Sequence, residues 1–157
     1  MTDYIDFGVG SIKELFTYLT NKSKGKDIIA NDLLRELRDN IKLLEHRNSE
    51  GVNFAALIEN LSSANIEAAY KANFNFNKLT DKKTLTEKII LHKKQLKYVG
   101  WDAKKFIYSI EGKIKDIKNL PKLFSDLSKA PINLSVRFDN LFYQMVLLTI
   151  FIRKTNG

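Results

Sequence analysis

Lysine side chains carry the chemistry that is most evident in this sequence, and they are concentrated between positions 78 and 118. This segment contains twelve lysines and five acidic residues, whereas the rest of the chain is almost neutral. A row of ammonium groups can follow a phosphate backbone and release its condensed counterions. The segment therefore predicts a surface for nucleic acid, either RNA or DNA, or for another polyanion. The predicted binding residues are Lys82, Lys83, Lys93, Lys94, Lys97, Lys104 and Lys105.

Three aromatic residues of the same segment extend this hypothesis. Tyr98, Trp101 and Tyr108 could offer stacking surfaces to unpaired bases. The segment has no arginine, so bidentate reading of base edges is not expected and the prediction is limited to non-specific binding. The alternative is a solvated helix face in a lysine-rich chain, which has 21 lysines against 5 arginines.

The two histidines are the candidates for acid–base or metal chemistry. At helical spacing His92 falls on one apolar stripe with Ile89, Leu96 and Val99, where it could act as a general base or a metal ligand. A core histidine that bonds to a carbonyl or a hydroxyl group explains the same position. Because the chain has no cysteine and no HExxH or HxxxH motif, neither a metal site nor a cofactor is predicted.

A further hypothesis is a small nuclease or toxin-like enzyme with an atypical site near His46 or His92. Arg38 and His46 share a predicted helix, which resembles the HEPN ribonucleases, an all-α family with an arginine and a histidine in its motif. Here more residues separate the two than that motif allows, so the motif is not met. The helix dipole alone explains His46 and Arg47 in a last helical turn. No catalytic residue is assigned, and binding is favoured over catalysis.

Helical periodicity of the apolar residues predicts one all-α domain over residues 1–157, a bundle of six or seven helices. Capping boxes at Ser11–Glu14 and Thr84–Glu87 each predict a helix start. The helix that begins at Thr84 would continue to a kink at Gly100 and present its lysines outward. After the kink, a heptad-like seam is predicted from Ala103, Ile107, Ile110, Ile114 and Ile117.

Asp27 and Asn133 are the predicted N-caps of two long helices. The first would end near Arg47 and carry Glu36 on a solvated polar face. Between these two helices, residues 52–74 are predicted to form a third one, with an irregularity at its two adjacent serines. Farther along, Pro121 is predicted to begin a short helix that contains Leu123, Phe124 and Leu127.

The last predicted helix is the most apolar one, since MVLLTIFI at 145–152 has no polar side. Its apolar run of about twelve residues is shorter than the roughly twenty that a bilayer requires, so no transmembrane segment is predicted. The helix is expected in the core, or at an interface through residues 134–152 with a protein partner or a second copy.

The sequence therefore predicts a non-enzymatic helical module with a basic surface over residues 78–118. A protein-interaction or oligomerisation module that uses the last helix is the alternative. The lack of cysteine and the acidic first residues predict a cytoplasmic protein.

Overall fold

The computed structural model describes residues 12–156, and within them the chain is an all-α bundle, as predicted. Its α-helices are α1 (Ile12–Lys22), α2 (Ile28–Leu44), α3 (Phe54–Asn60), α4 (Ala64–Lys71), α5 (Ala103–Leu123) and α6 (Leu134–Thr155). Short 3₁₀ helices occupy Phe76–Thr80, Glu87–Ile89, Lys93–Tyr98 and Leu127–Lys129. Ser11 of the first predicted capping box lies outside the described residues.

Side-chain caps begin the three longest helices, and two of these caps follow the sequence prediction. An Asp27 carboxylate oxygen accepts from the Ala30 amide at 3.1 Å, and the Asn133 side chain accepts from the Val136 amide at 3.2 Å. Asp102 caps α5 by accepting from the Lys105 amide at 2.9 Å. Each cap satisfies an amide that the helix itself leaves without a partner.

Helix α6 is the centre of the bundle, because residues 145–152 are all buried. It packs against α1, α2 and α5, and against the 3₁₀ helix Phe76–Thr80. The predicted α5 seam faces this core and is buried along its whole length, from Ala103 to Ile117. No helix within residues 12–156 is both long enough and apolar enough to cross a bilayer.

The predicted helix over residues 52–74 is two helices, α3 and α4, which are separated at Leu61–Ser63. The Glu36 carboxylate accepts hydrogen bonds from the amides of Asn65 and Ile66, at 2.8 and 3.2 Å, and from the Ser62 hydroxyl group at 2.9 Å. The prediction that Glu36 lies on a solvated face is therefore wrong: its side chain is buried and caps the start of α4. Burial raises the pKa of Glu36, and the three hydrogen bonds oppose that rise.

The prediction of a helix from Thr84 to Gly100 is also wrong, because this segment forms a closed loop with two 3₁₀ turns. An isolated antiparallel bridge pairs Thr84 with Asp102. The amide of Leu85 donates to the Trp101 carbonyl and that of Gly100 donates to the Leu85 carbonyl, both at 2.8 Å. Gly100 has a φ of 88°, a left-handed conformation that favours glycine and lets the chain turn back to the bridge.

Pro121 does not begin a helix, and the short helix predicted after it is not formed. The proline lies in the last turn of α5. Its missing amide removes one hydrogen bond, to the carbonyl four residues earlier, and only two helical residues follow it. Leu123, which was predicted to lie in that short helix, is the last residue of α5 and is 71% exposed.

Candidate polyanion-binding surface

All seven lysines predicted to bind a polyanion are exposed. We call them together the basic surface: Lys82, Lys83, Lys93, Lys94, Lys97, Lys104 and Lys105. The first pair precedes the bridged Thr84, and the last pair lies in the first turn of α5, directly after the bridged Asp102. The bridge therefore brings together two lysine pairs that are about twenty residues apart in sequence. The other three lie on the 3₁₀ turn Lys93–Tyr98 of the loop between them.

Of the five acidic residues in segment 78–118, Asp81 and Glu87 are exposed, and Asp102 and Glu111 are engaged in other contacts. The Asp102 carboxylate accepts from the Lys105 amide and, at 3.1 Å, from the Asn77 side chain, so it is used as a helix cap. Glu111 pairs with Lys115, at 3.6 Å between Nζ and Oε2, rather than with a lysine of the basic surface. Among residues 12–156, none of the seven lysines forms an ion pair with a carboxylate.

The three aromatic residues differ in how much ring they offer to a ligand. Tyr98 is buried, with ring centroids at 4.8 Å from Trp101 and 5.5 Å from Phe106. Trp101 is half-buried, and the Lys105 ammonium lies 4.9 Å from its ring centroid. Tyr108 is 71% exposed, so it is the residue of the three whose ring is open to solvent.

His92 does not lie in an apolar core. It is exposed, and its Nδ1 accepts from the Lys94 amide at 3.1 Å, which caps the 3₁₀ turn Lys93–Tyr98. Leu96 and Val99, predicted to face inward with it, are 51% and 37% exposed. Within residues 12–156, no group of three or more histidine, cysteine or acidic side chains is arranged to hold a metal ion.

His46 is exposed as predicted, but α2 ends at Leu44, so His46 and Arg47 lie in the turn after the helix rather than in its last turn. Arg47 has a role that the sequence did not indicate. Arg47 is buried, and its Nε donates to the Asp139 carboxylate at 2.6 Å. Its guanidinium carbon lies 4.0 Å from the ring centroid of Phe142. Arg47 therefore ties the end of α2 to α6, and this is a structural contact rather than a catalytic one.

Lys113 is a further basic residue next to this surface that the sequence did not single out. Its ammonium is half-buried and donates to the Gln144 side-chain oxygen at 2.8 Å. Burial, and then the nearby positive charge of Lys97, lower the pKa of Lys113 to about 8. The ammonium groups of Lys97 and Lys113 both lie against the Tyr98 ring, at 5.2 and 6.0 Å from its centroid, so the positive potential extends from the loop onto α5.

No model of a known protein family, no curated protein and no solved structure matches this chain.

Proposed function

We propose that this chain is a non-enzymatic module that binds nucleic acid through the basic surface. The observation that carries the proposal is the exposure of all seven lysines without carboxylate partners among residues 12–156. A lysine in an ion pair has to break that pair before it binds phosphate, whereas these seven lysines have no such pair to break. Each contact with a phosphate would release condensed counterions, which makes the binding strong at low salt and weak at high salt.

A single strand fits this surface better than a duplex. Tyr108 follows Lys104 and Lys105 by one helical turn, so its ring shares a face of α5 with their ammonium groups. One turn further on, Gly112 has no side chain, and the space beside it is open. Unpaired bases can stack on such a ring, whereas the bases of a duplex are covered by their neighbours.

The first test is a fluorescence-anisotropy titration with a labelled single strand of about 15 nucleotides at two salt concentrations. The triple change Lys93→Glu, Lys94→Glu and Lys97→Glu should weaken binding at least about tenfold at low salt. It should also reduce the slope of log affinity against log salt by about two, since three phosphate contacts are lost. Lys13→Glu, Lys122→Glu and Lys129→Glu form the control, because they change the net charge equally at exposed lysines outside the basic surface.

Equal losses in the two triple variants would contradict the proposal, because net charge rather than this surface would then control binding. Vesicles with anionic lipid provide a second comparison. Binding to such vesicles without binding to the oligonucleotide would assign the surface to a membrane and overturn the proposal.

The second test concerns Tyr108. Tyr108→Ala should weaken single-strand binding by about 5- to 150-fold, the usual effect of losing one base stacked on an aromatic ring, and Tyr108→Phe should retain the binding. Binding to a duplex of the same length should change little. Leu123→Ala is the matched control, since Leu123 is equally exposed at the other end of α5. If single-strand and duplex affinities fall together in Tyr108→Ala, stacking is not the role of this ring.

A further inference from the structure

A second basic site lies away from the loop, in a cleft of about 440 Å³ between the α1–α2 connection, the start of α2 and the segment around Phe74–Leu79. This volume is within the range of small-molecule sites, about 300–1,000 Å³. Four lysines line the cleft: Lys22, Lys24, Lys26 and Lys78. The first three lie in NKSKGK, residues 21–26, whose sequence indicates only a turn between two helices.

Side chains of α2 hold the connection that carries these lysines. The Asn31 side chain accepts from the Gly25 amide at 3.2 Å and donates to the Gly25 carbonyl at 2.8 Å. Both backbone polar groups of Gly25 are therefore hydrogen-bonded to α2. Arg35 donates to the Ser23 carbonyl at 3.1 Å. The backbone between Lys22 and Lys26 is therefore held before any ligand arrives, which reduces the entropy lost on binding.

The positive charge of this cleft exceeds its negative charge, because four lysines and one carboxylate line it. Asp27 is the carboxylate among its lining residues, and it accepts from the Ala30 amide as the cap of α2. Among residues 12–156, none of the four lysines pairs with a carboxylate. Ammonium groups around one cleft repel one another, and a ligand with several negative charges would relieve that repulsion.

The floor of the cleft is apolar. Leu34, Leu79 and Ile152 are buried there, and the half-buried Phe74 also lines it. Apolar walls strengthen nearby electrostatic interactions, and they offer a contact surface to a planar or apolar group. Free phosphate would use the lysines alone, so the floor favours a ligand that carries both phosphates and a ring.

We propose that this cleft binds a nucleoside polyphosphate, with the phosphates on the lysines and the base against the apolar floor. The cleft contains none of the seven lysines of the basic surface, although Lys78 lies four residues before Lys82, and the proposal stands whether or not the basic surface binds nucleic acid.

Isothermal titration calorimetry with the whole chain tests the site with three probes: adenosine triphosphate, inorganic triphosphate and adenosine. We expect the nucleotide to bind most tightly, inorganic triphosphate to bind at least about tenfold more weakly, and adenosine not to bind measurably. Lys24→Glu with Lys26→Glu should weaken nucleotide binding at least about tenfold. Lys93→Glu with Lys94→Glu, the matched pair on the basic surface, should leave it unchanged.

Three results would overturn the proposal. Equal binding of inorganic triphosphate and nucleotide would show that the apolar floor takes no part. A loss in the Lys93/Lys94 variant but not in the Lys24/Lys26 variant would place the ligand on the basic surface instead. No binding of any probe would exclude the site. Circular dichroism of both variants, whose changed residues are all exposed, checks that the fold is retained.

Discussion

Two sets of charged residues in this protein differ in ways that the sequence does not distinguish. Glu36 and Arg47 are 6% and 7% exposed, and each forms hydrogen bonds with groups from another part of the chain. The lysines of the basic surface are exposed and form no ion pairs among the described residues. A buried charge requires partners, whereas an exposed one remains available to a ligand. Burial therefore separates the charges that hold the fold from those that could bind.

Glu36→Gln is expected to destabilise the protein by about 1–3 kcal/mol. The amide nitrogen of glutamine cannot accept a hydrogen bond, so it would face the amide of either Asn65 or Ile66 at the start of α4 and leave it without an acceptor. Urea denaturation at neutral pH measures the change in the free energy of unfolding.

Asp39→Asn is the control for this measurement. Asp39 is on the same helix but its side chain is 64% exposed, and its ion pair with Arg38 is a surface one. We expect a change within about 0.5 kcal/mol. Similar effects of the two substitutions would show that Glu36 does not cap α4.

The long elements could be predicted because local sequence determines them. Asp27 and Asn133 begin helices, and the seam from Ala103 to Ile117 is the buried face of α5, so a cap and a 3.6-residue period were sufficient. The break between α3 and α4 lies at the two serines where the sequence predicted an irregularity, but the full separation into two helices was not predicted. It depends on Glu36 and Asn40, which bond to Ser62 and its neighbours from another helix.

The loop after Thr84 shows why local pattern can fail. Its apolar residues have helical spacing, yet the pairing of Thr84 with Asp102 joins the two ends of the segment and competes with a helix. Such a pairing depends on tertiary contacts that periodicity does not contain. The exposure of the lysines was predicted even so, because ammonium groups remain in water in either conformation. What the sequence could not provide was the bridge that brings the lysine pairs together.

In the molecule as a whole, the most apolar segment of the chain lies in the core. Residues 145–152 of α6 are buried by the chain's own helices, and Val136, in the first turn of α6, is its exposed large apolar residue at 49%. An interface through residues 134–152 would therefore have little apolar surface to bury. Stable protein interfaces usually bury roughly 800 Å² on each partner.

Because α6 leaves little apolar surface exposed, we expect the chain to sediment as a monomer of 18.1 kDa. Leu148→Ala should lower the free energy of unfolding by about 2–5 kcal/mol, because it opens a cavity at a fully buried position of α6, and it should leave the mass unchanged. Leu123→Ala makes the same substitution at an exposed leucine and should cost less than about 0.5 kcal/mol. Analytical ultracentrifugation and urea denaturation of the three proteins measure both quantities. A dimer that Val136→Asp dissociates would contradict this prediction, since α6 would then form an interface as well as the core.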